Sequence, residues 1–174
     1  RLILQSHPSI CETVATMSPP TATTVPNRHE SPPAAAVDRI VEVFESLTPE
    51  AVAQLGAIYT EHAHFKDPFN DIRGLAAIQG VFQHMYAALI EPRFVVTRQV
   101  VDGAHCFLVW EFHFRFRRFR SEVDQCICGT SHLQLAPDGR ILDHRDYWDA
   151  ADELYEKLPL IGPLMRWLRQ RAAH

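Results

Sequence analysis

Little in the sequence marks a secreted, membrane-spanning or nucleic-acid-binding chain. The four cysteines, Cys11, Cys106, Cys126 and Cys128, form no disulfide-dense framework and lack the paired CxxC spacing of a structural zinc site. Such sparse usage points to a reducing compartment. The opening RLILQ has three apolar residues before Gln5 and Pro8, too short for the apolar centre of a secretion signal. The longest apolar run, LPLIGPLM at 158–165, contains two prolines and is far too short to cross a bilayer. A formal charge of −4 offers no basic excess for a phosphate backbone, so no nucleic-acid partner is expected. There is no internal repeat. These absences lead us to expect a soluble, cytoplasmic protein.

What is present suits one ordinary domain: 174 residues with 47% hydrophobic content can bury a substantial core. Half of the 12 prolines precede Val37, mixed with Ser and Thr. That composition cannot offset its ordering entropy, so residues 1–36 are expected to be a disordered tail, with Met17 an expected start within it. From Val37 the pattern turns helical. Val37, Ile40, Val41, Phe44 and Leu47 recur at helical spacing, and TPEAVAQLGAIY restarts a helix with Thr48 as N-cap and Pro49 in the first turn. AHFKDP reads as a short strand ended by Pro68, and Gly74 opens a third helix with Leu75, Ile78, Phe82, Met85 and Leu89 on one face.

The remainder reads mostly as sheet. PRFVVTRQVV, AHCFLVWEFHFRF, EVDQCICGTSHLQL and RILDHRDYW are β-rich, and Asp102-Gly103 and Asp138-Gly139 are hairpin turn signals. An amphipathic helix is expected over 151–174, interrupted near Pro159 and Pro163. Helices followed by antiparallel strands predict an α+β domain over 37–150, with helices on the concave face of a curved antiparallel sheet and a cavity between.

The order of elements and three motifs, AHFKDP before the helix GLAAIQGVFQHMY, the strand FLVWEFHF, and DGRILDHRDYWD, resemble the nuclear-transport-factor-2-like superfamily from about Val37 to Asp149. This is the cone-shaped, cystatin-like α+β barrel that includes ketosteroid isomerase and the SnoaL-like polyketide cyclases. The resemblance implies a role for Asp67, which matches the general-base aspartate of the isomerase. A carboxylate at the mouth of an apolar pocket loses hydration and becomes a better acceptor for a proton next to a carbonyl. The isomerase's oxyanion-hole tyrosine and aspartate are replaced here by Val43 and Ser131, which leaves Tyr59 or Tyr86 to supply a phenol from another helix. Asp146 resembles the water-activating aspartate on the last strand of limonene epoxide hydrolase. Glu111 and His113 stand near that enzyme's Arg and Asp positions.

Each residue also has a plainer reading. Asp67 before Pro68 could cap a turn through local backbone N–H groups. Asp146 could pair with Arg145 or another basic neighbour. Alternation puts Asp146 and Trp148 on one face of the last strand and Arg145 and Tyr147 on the other. In the long strand Trp110, Phe112, Phe114 and Phe116 alternate with Glu111, His113, Arg115 and Arg117, giving an aromatic and a charged face. The aromatic face is ordinary core or ligand wall; Trp110 and Phe112 are the pocket candidates. The basic-aromatic RFRRFR, 115–120, is read as a solvated hairpin end. The ten histidines are scattered and no metal is expected. Cys126 and Cys128 are read as buried small hydrophobes.

The expectation is therefore a small-molecule enzyme performing isomerisation, cyclisation or hydration of an apolar, carbonyl-bearing substrate without a cofactor. Asp67 and Asp146 handle protons, and Tyr59, Phe82, Tyr86, Trp110, Phe112, Ser131 and Trp148 contact substrate. The alternative is a non-catalytic ligand-binding or dimerisation module of the same fold. A homodimer is expected, with the C-terminal helix as lid, dimer contact or weak membrane-surface contact.

Overall fold

A computed structural model describes residues 34–118 and 121–153, together with Trp167 and Arg171. Most of the expected tail and of the C-terminal helix lies outside the described residues, as does Cys11.

Helix α1, Ala34–Glu45, begins inside the segment read as tail and buries Ala36, Val37, Ile40 and Phe44 on one stripe. The expected second α-helix is instead a 3-10 helix, Ala51–Ala57. The reason is in the spacing: Val52, Leu55 and Ile58 recur every three residues and all are fully buried, which fits three residues per turn. Thr48 opens this helix, its hydroxyl accepting from Ala51 N–H at 3.2 Å. The helix stops early enough for Tyr59 to begin strand β1, Tyr59–Lys66, so Tyr59 is a strand residue and not a helical one. Pairing of Tyr59 with Ile141 of the later strand Ile141–Tyr147 holds it extended.

A three-residue strand β2, Asp71–Arg73, absent from the sequence reading, folds back on β1. Gly74, at φ +96°, turns the chain into helix α2, Leu75–Ala88. That left-handed backbone favours glycine. Strands β3 (Leu89–Asp102), β4 (His105–Phe116), β5 (Gln125–Leu135) and β6 (Ile141–Tyr147) follow, then a short helix α3, Ala150–Glu153.

The sheet has six strands in the order β2-β1-β6-β5-β4-β3. The four long strands form the expected antiparallel meander. The sheet is mixed rather than wholly antiparallel, because β1 pairs parallel with β6. Outside the cavity, His64 of β1 ties three strands together: its Nδ1 lies 2.7 Å from Asp143 on β6 and its Nε2 2.8 Å from Asp71 on β2.

Alternation along β4 separates the two faces. Cys106, Leu108, Trp110, Phe112 and Phe114 are buried, while His105, Phe107 and Val109 are exposed and Glu111 and His113 half-buried. Helix α1 packs on β3 and α2 on β1 and β3, covering the inner face. Cys106 is buried in this core, and burial pushes its thiol up to about 11. Cys126 and Cys128 are not buried as expected. They are half-buried and exposed, respectively, because Ile127 between them takes the inward position on β5. No helix among the described residues is long and apolar enough to cross a membrane.

Candidate functional site

Between the helices and the inner face lies a cavity of about 290 Å3, at the small end of ligand pockets. Its walls are aromatic and aliphatic: Phe44 of α1, Phe82 of α2, Phe94 of β3, and Trp110 and Phe112 of β4. Phe94 stacks on Phe112 at 4.5 Å and meets Trp110 edge-on at 5.6 Å.

Three polar residues of the wall, Ser131, His144 and Asp146, stand on β5 and β6. Two-residue spacing sends both His144 and Asp146 inward from β6, and the register places Asp146 opposite Ser131 of β5. Ser131 Oγ–H donates to Asp146 Oδ1 at 2.5 Å and accepts from the Trp110 indole N–H at 2.9 Å. His144 Nε2 lies 2.8 Å from the same Oδ1 and 3.1 Å from Ser131 Oγ. On its other side, His144 Nδ1 is 2.5 Å from the Tyr59 hydroxyl.

The protons on this chain follow from burial. Tyr59 is fully buried, and its pKa is raised well above the ordinary phenol range, first by desolvation and then by the negative charge of Asp146. The phenol therefore keeps its proton. With the imidazole neutral, the tautomer that donates from Nε2 to Asp146 leaves Nδ1 to accept from the Tyr59 hydroxyl, and every hydrogen on the chain then points toward the carboxylate. Asp146 is 16% exposed and His144 5%. Among the described residues both hydrogen bonds that reach Asp146 fall on Oδ1, which holds the carboxylate in one orientation.

Asp67 stands at the rim and also lines the cavity. Its Oδ1 accepts from the Phe69 N–H at 2.7 Å and the Asn70 N–H at 2.5 Å, and the Asn70 amide spans both carboxylate oxygens at 3.0 and 2.9 Å. It thus builds the turn between β1 and β2. Trp148 closes the same rim, packing edge-on against Phe69 at 5.5 Å.

Of the residues named from sequence, Asp67, Asp146, Phe82, Trp110, Phe112, Ser131 and Trp148 line one cavity. Tyr59 stands behind His144. Tyr86 is not on the wall; its hydroxyl donates to the Leu47 carbonyl at 2.5 Å, which ties α2 to the loop after α1. Glu111 and His113 face outward, away from the cavity, because Trp110 and Phe112 occupy the inward positions of β4. His144 and Gly129 are the residues of this candidate site that sequence reasoning missed. A Cβ at Gly129 would sit 2.3 Å from Trp110 Cη2, so only glycine lets the indole lie across β5 and reach Ser131. The pairing HxD on an inward strand face was the available signal for His144.

Comparison with known proteins matches this geometry to a family. No curated protein matches significantly, but many solved structures do. One is a protein of ketosteroid isomerase-like fold from Catenulispora acidiphila, in complex with trimethylamine, with TM-score 0.59 and 15% identity over 71% of this chain and 91% of that one. TsrD from Streptomyces laurentii matches with TM-score 0.61 and 16% identity over 71% of this chain and 95% of that one. An LEH-like epoxide hydrolase of M. tuberculosis matches with TM-score 0.55 and 18% identity over 68% of this chain and 84% of that one. At such identities the likeness is one of fold. The model of the SnoaL-like domain matches residues 37–144, a span that runs from the first turn of α1 to the histidine beside Asp146. The chain belongs to the SnoaL-like family, within the nuclear-transport-factor-2-like fold.

Proposed function

We propose that the protein is a small-molecule enzyme in which Asp146 is the general base, acting on an apolar substrate with a carbonyl or comparable electrophile. The observation that carries this reading is the position of the Asp146 carboxylate, oriented by Ser131 and His144, on the wall of a mainly apolar cavity. Two donors engage Oδ1, and Oδ2 takes the proton from a substrate carbon or from water. In an isomerisation or cyclisation the same oxygen returns that proton to another atom of the substrate, so one carboxylate serves as base and then acid. His144 and Ser131 hold Asp146, while Tyr59 and Trp110 hold them in turn. Asp67 shapes the rim rather than moving protons, since its oxygens are engaged by Phe69 and Asn70.

The test is a panel of apolar enones, dicarbonyls and epoxides with wild type and Asp146→Asn. Wild type should convert at least one. Asp146→Asn should keep the fold and lower turnover by about 10²–10⁴-fold, the usual contribution of a general base. Unchanged turnover in that variant would remove Asp146 from the mechanism.

A second reading, a non-catalytic binding module, is favoured by the absence of a phenol at the position where ketosteroid isomerase has one. Val43 there is half-buried against the core. Panel members that raise the melting temperature while wild type forms no product would favour this reading.

A further inference from the structure

The outer face of the sheet carries chemistry that the cavity does not use. Glu111 and His113, two apart on β4, project to this face, with Glu111 Oε2 and His113 Nε2 3.0 Å apart. His113 is in register with Cys126 on β5. One ligand atom from each of Glu111, His113 and Cys126 lies within 4.8 Å of the other two, and all three residues are half-buried.

We propose that these three residues form a binding site for a divalent transition metal, with zinc the best fit. Zinc takes thiolate, imidazole and carboxylate together at about 2.0–2.3 Å, which separates neighbouring ligand atoms by roughly 3–4 Å. Small rotamer changes bring the present spacing to that range. A thiolate with an imidazole selects zinc-like ions over magnesium or calcium. The ion displaces the Cys126 thiol proton, which leaves to solvent, and the fourth position falls to water or to Cys128, in register with Glu111 on the same face. Arg115, next along this face, is held by Glu91 at 2.7 Å and Asp124 at 3.8 Å, so its charge is balanced beside the site. An ion here would clamp β4 to β5 directly behind Phe112 and Ile127, both of which line the cavity.

The experiment uses the full chain, stripped with chelator and titrated with Zn(II) and with Co(II) as a spectroscopic probe. Uptake of one equivalent, a thiolate-to-cobalt charge-transfer band and tetrahedral ligand-field bands are expected, with a rise in melting temperature. Cys126→Ser should cut the charge-transfer band by at least half, and Cys126→Ser with Cys128→Ser should remove it. His113→Ala and Glu111→Gln should each weaken affinity by about tenfold or more. All three side chains point outward, and near-UV circular dichroism checks that each variant remains folded. His132→Ala should change nothing. Absence of stoichiometric binding, or binding that survives both Cys126→Ser and His113→Ala, overturns the proposal. Binding lost only in His132→Ala would assign the ion to the His105–His132 pair, whose ring nitrogens are 3.0 Å apart, and would equally overturn it.

Discussion

The Tyr59 hydroxyl lies 2.5 Å from His144 Nδ1, a buried contact between residues 85 apart in sequence. We expect a neutral His144 to accept there from the phenol and to carry its proton on Nε2, facing Asp146. Tyr59→Phe removes that donor and leaves a buried ring nitrogen without a partner, which costs about 1–3 kcal/mol. Denaturant unfolding should show a loss of that size. Nitrogen NMR of His144 should show the wild-type Nε2–H tautomer giving way to a mixture. A variant whose tautomer matches wild type would refute the assignment.

Gly129→Ala should disturb the site without touching any polar residue in it. The added methyl would overlap the Trp110 ring at 2.3 Å, so the indole must swing off β5 and release Ser131. Overpacking of this kind costs about 1–3 kcal/mol. Near-UV circular dichroism and tryptophan fluorescence should change together with stability. If both spectra stay those of wild type, Trp110 is not held as described.

The His64 clamp makes stability depend on pH. The His64 pKa is raised from 6.5, chiefly by its hydrogen bond to Asp71 and then by that to Asp143. A raised folded-state value means that the stabilisation is complete below about pH 6.5 and is lost as pH rises through the folded value. Asp71 is lowered to about 2, first by His64 and then by Lys66, so its share is present above the ordinary carboxylate value and lost as pH falls through about 2. Melting curves of wild type and His64→Gln should therefore differ most between about pH 4 and 6.5 and converge at higher pH. A difference that grows with rising pH would contradict the clamp.

Asp67 separates the turn role from proton transfer. Asp67→Asn keeps one oxygen for the Phe69 and Asn70 N–H groups and loses only the second acceptor that faces the Asn70 amide, so it should retain the turn and most of the turnover. Asp67→Ala should lose about 1 kcal/mol of stability. Turnover abolished by Asp67→Asn, with the melting temperature unchanged, would return Asp67 to the proton chemistry.

Local patterns in the sequence carried much of this structure. The stripe of Ile78 and Phe82 in α2, the alternation from Cys106 to Phe114 and the two Asp-Gly turns are each short-range signals, and each appears in the fold. Asp146 and Trp148 share one face, as alternation expected, and both line the cavity. Other features depend on partners far away in sequence. Tyr59 looked helical because LGAIY is ambiguous between helix and strand, and only pairing with β6 decides it. Gly129 matters only because Trp110 lies across from it in register. His144 was one of ten histidines, and its importance follows from what surrounds it rather than from its neighbours along the chain.

The parallel union of β1 and β6 carries a kinetic consequence. Its strands come from opposite ends of the domain, and the intervening meander can zip up hairpin by hairpin before they meet. Closing so long a loop is among the slower events in folding. Tyr59 reaches His144 only across this seam, so an intermediate with a finished meander would still hold a loosely oriented Asp146. Competence at the carboxylate should therefore ripen after most of the backbone is in place.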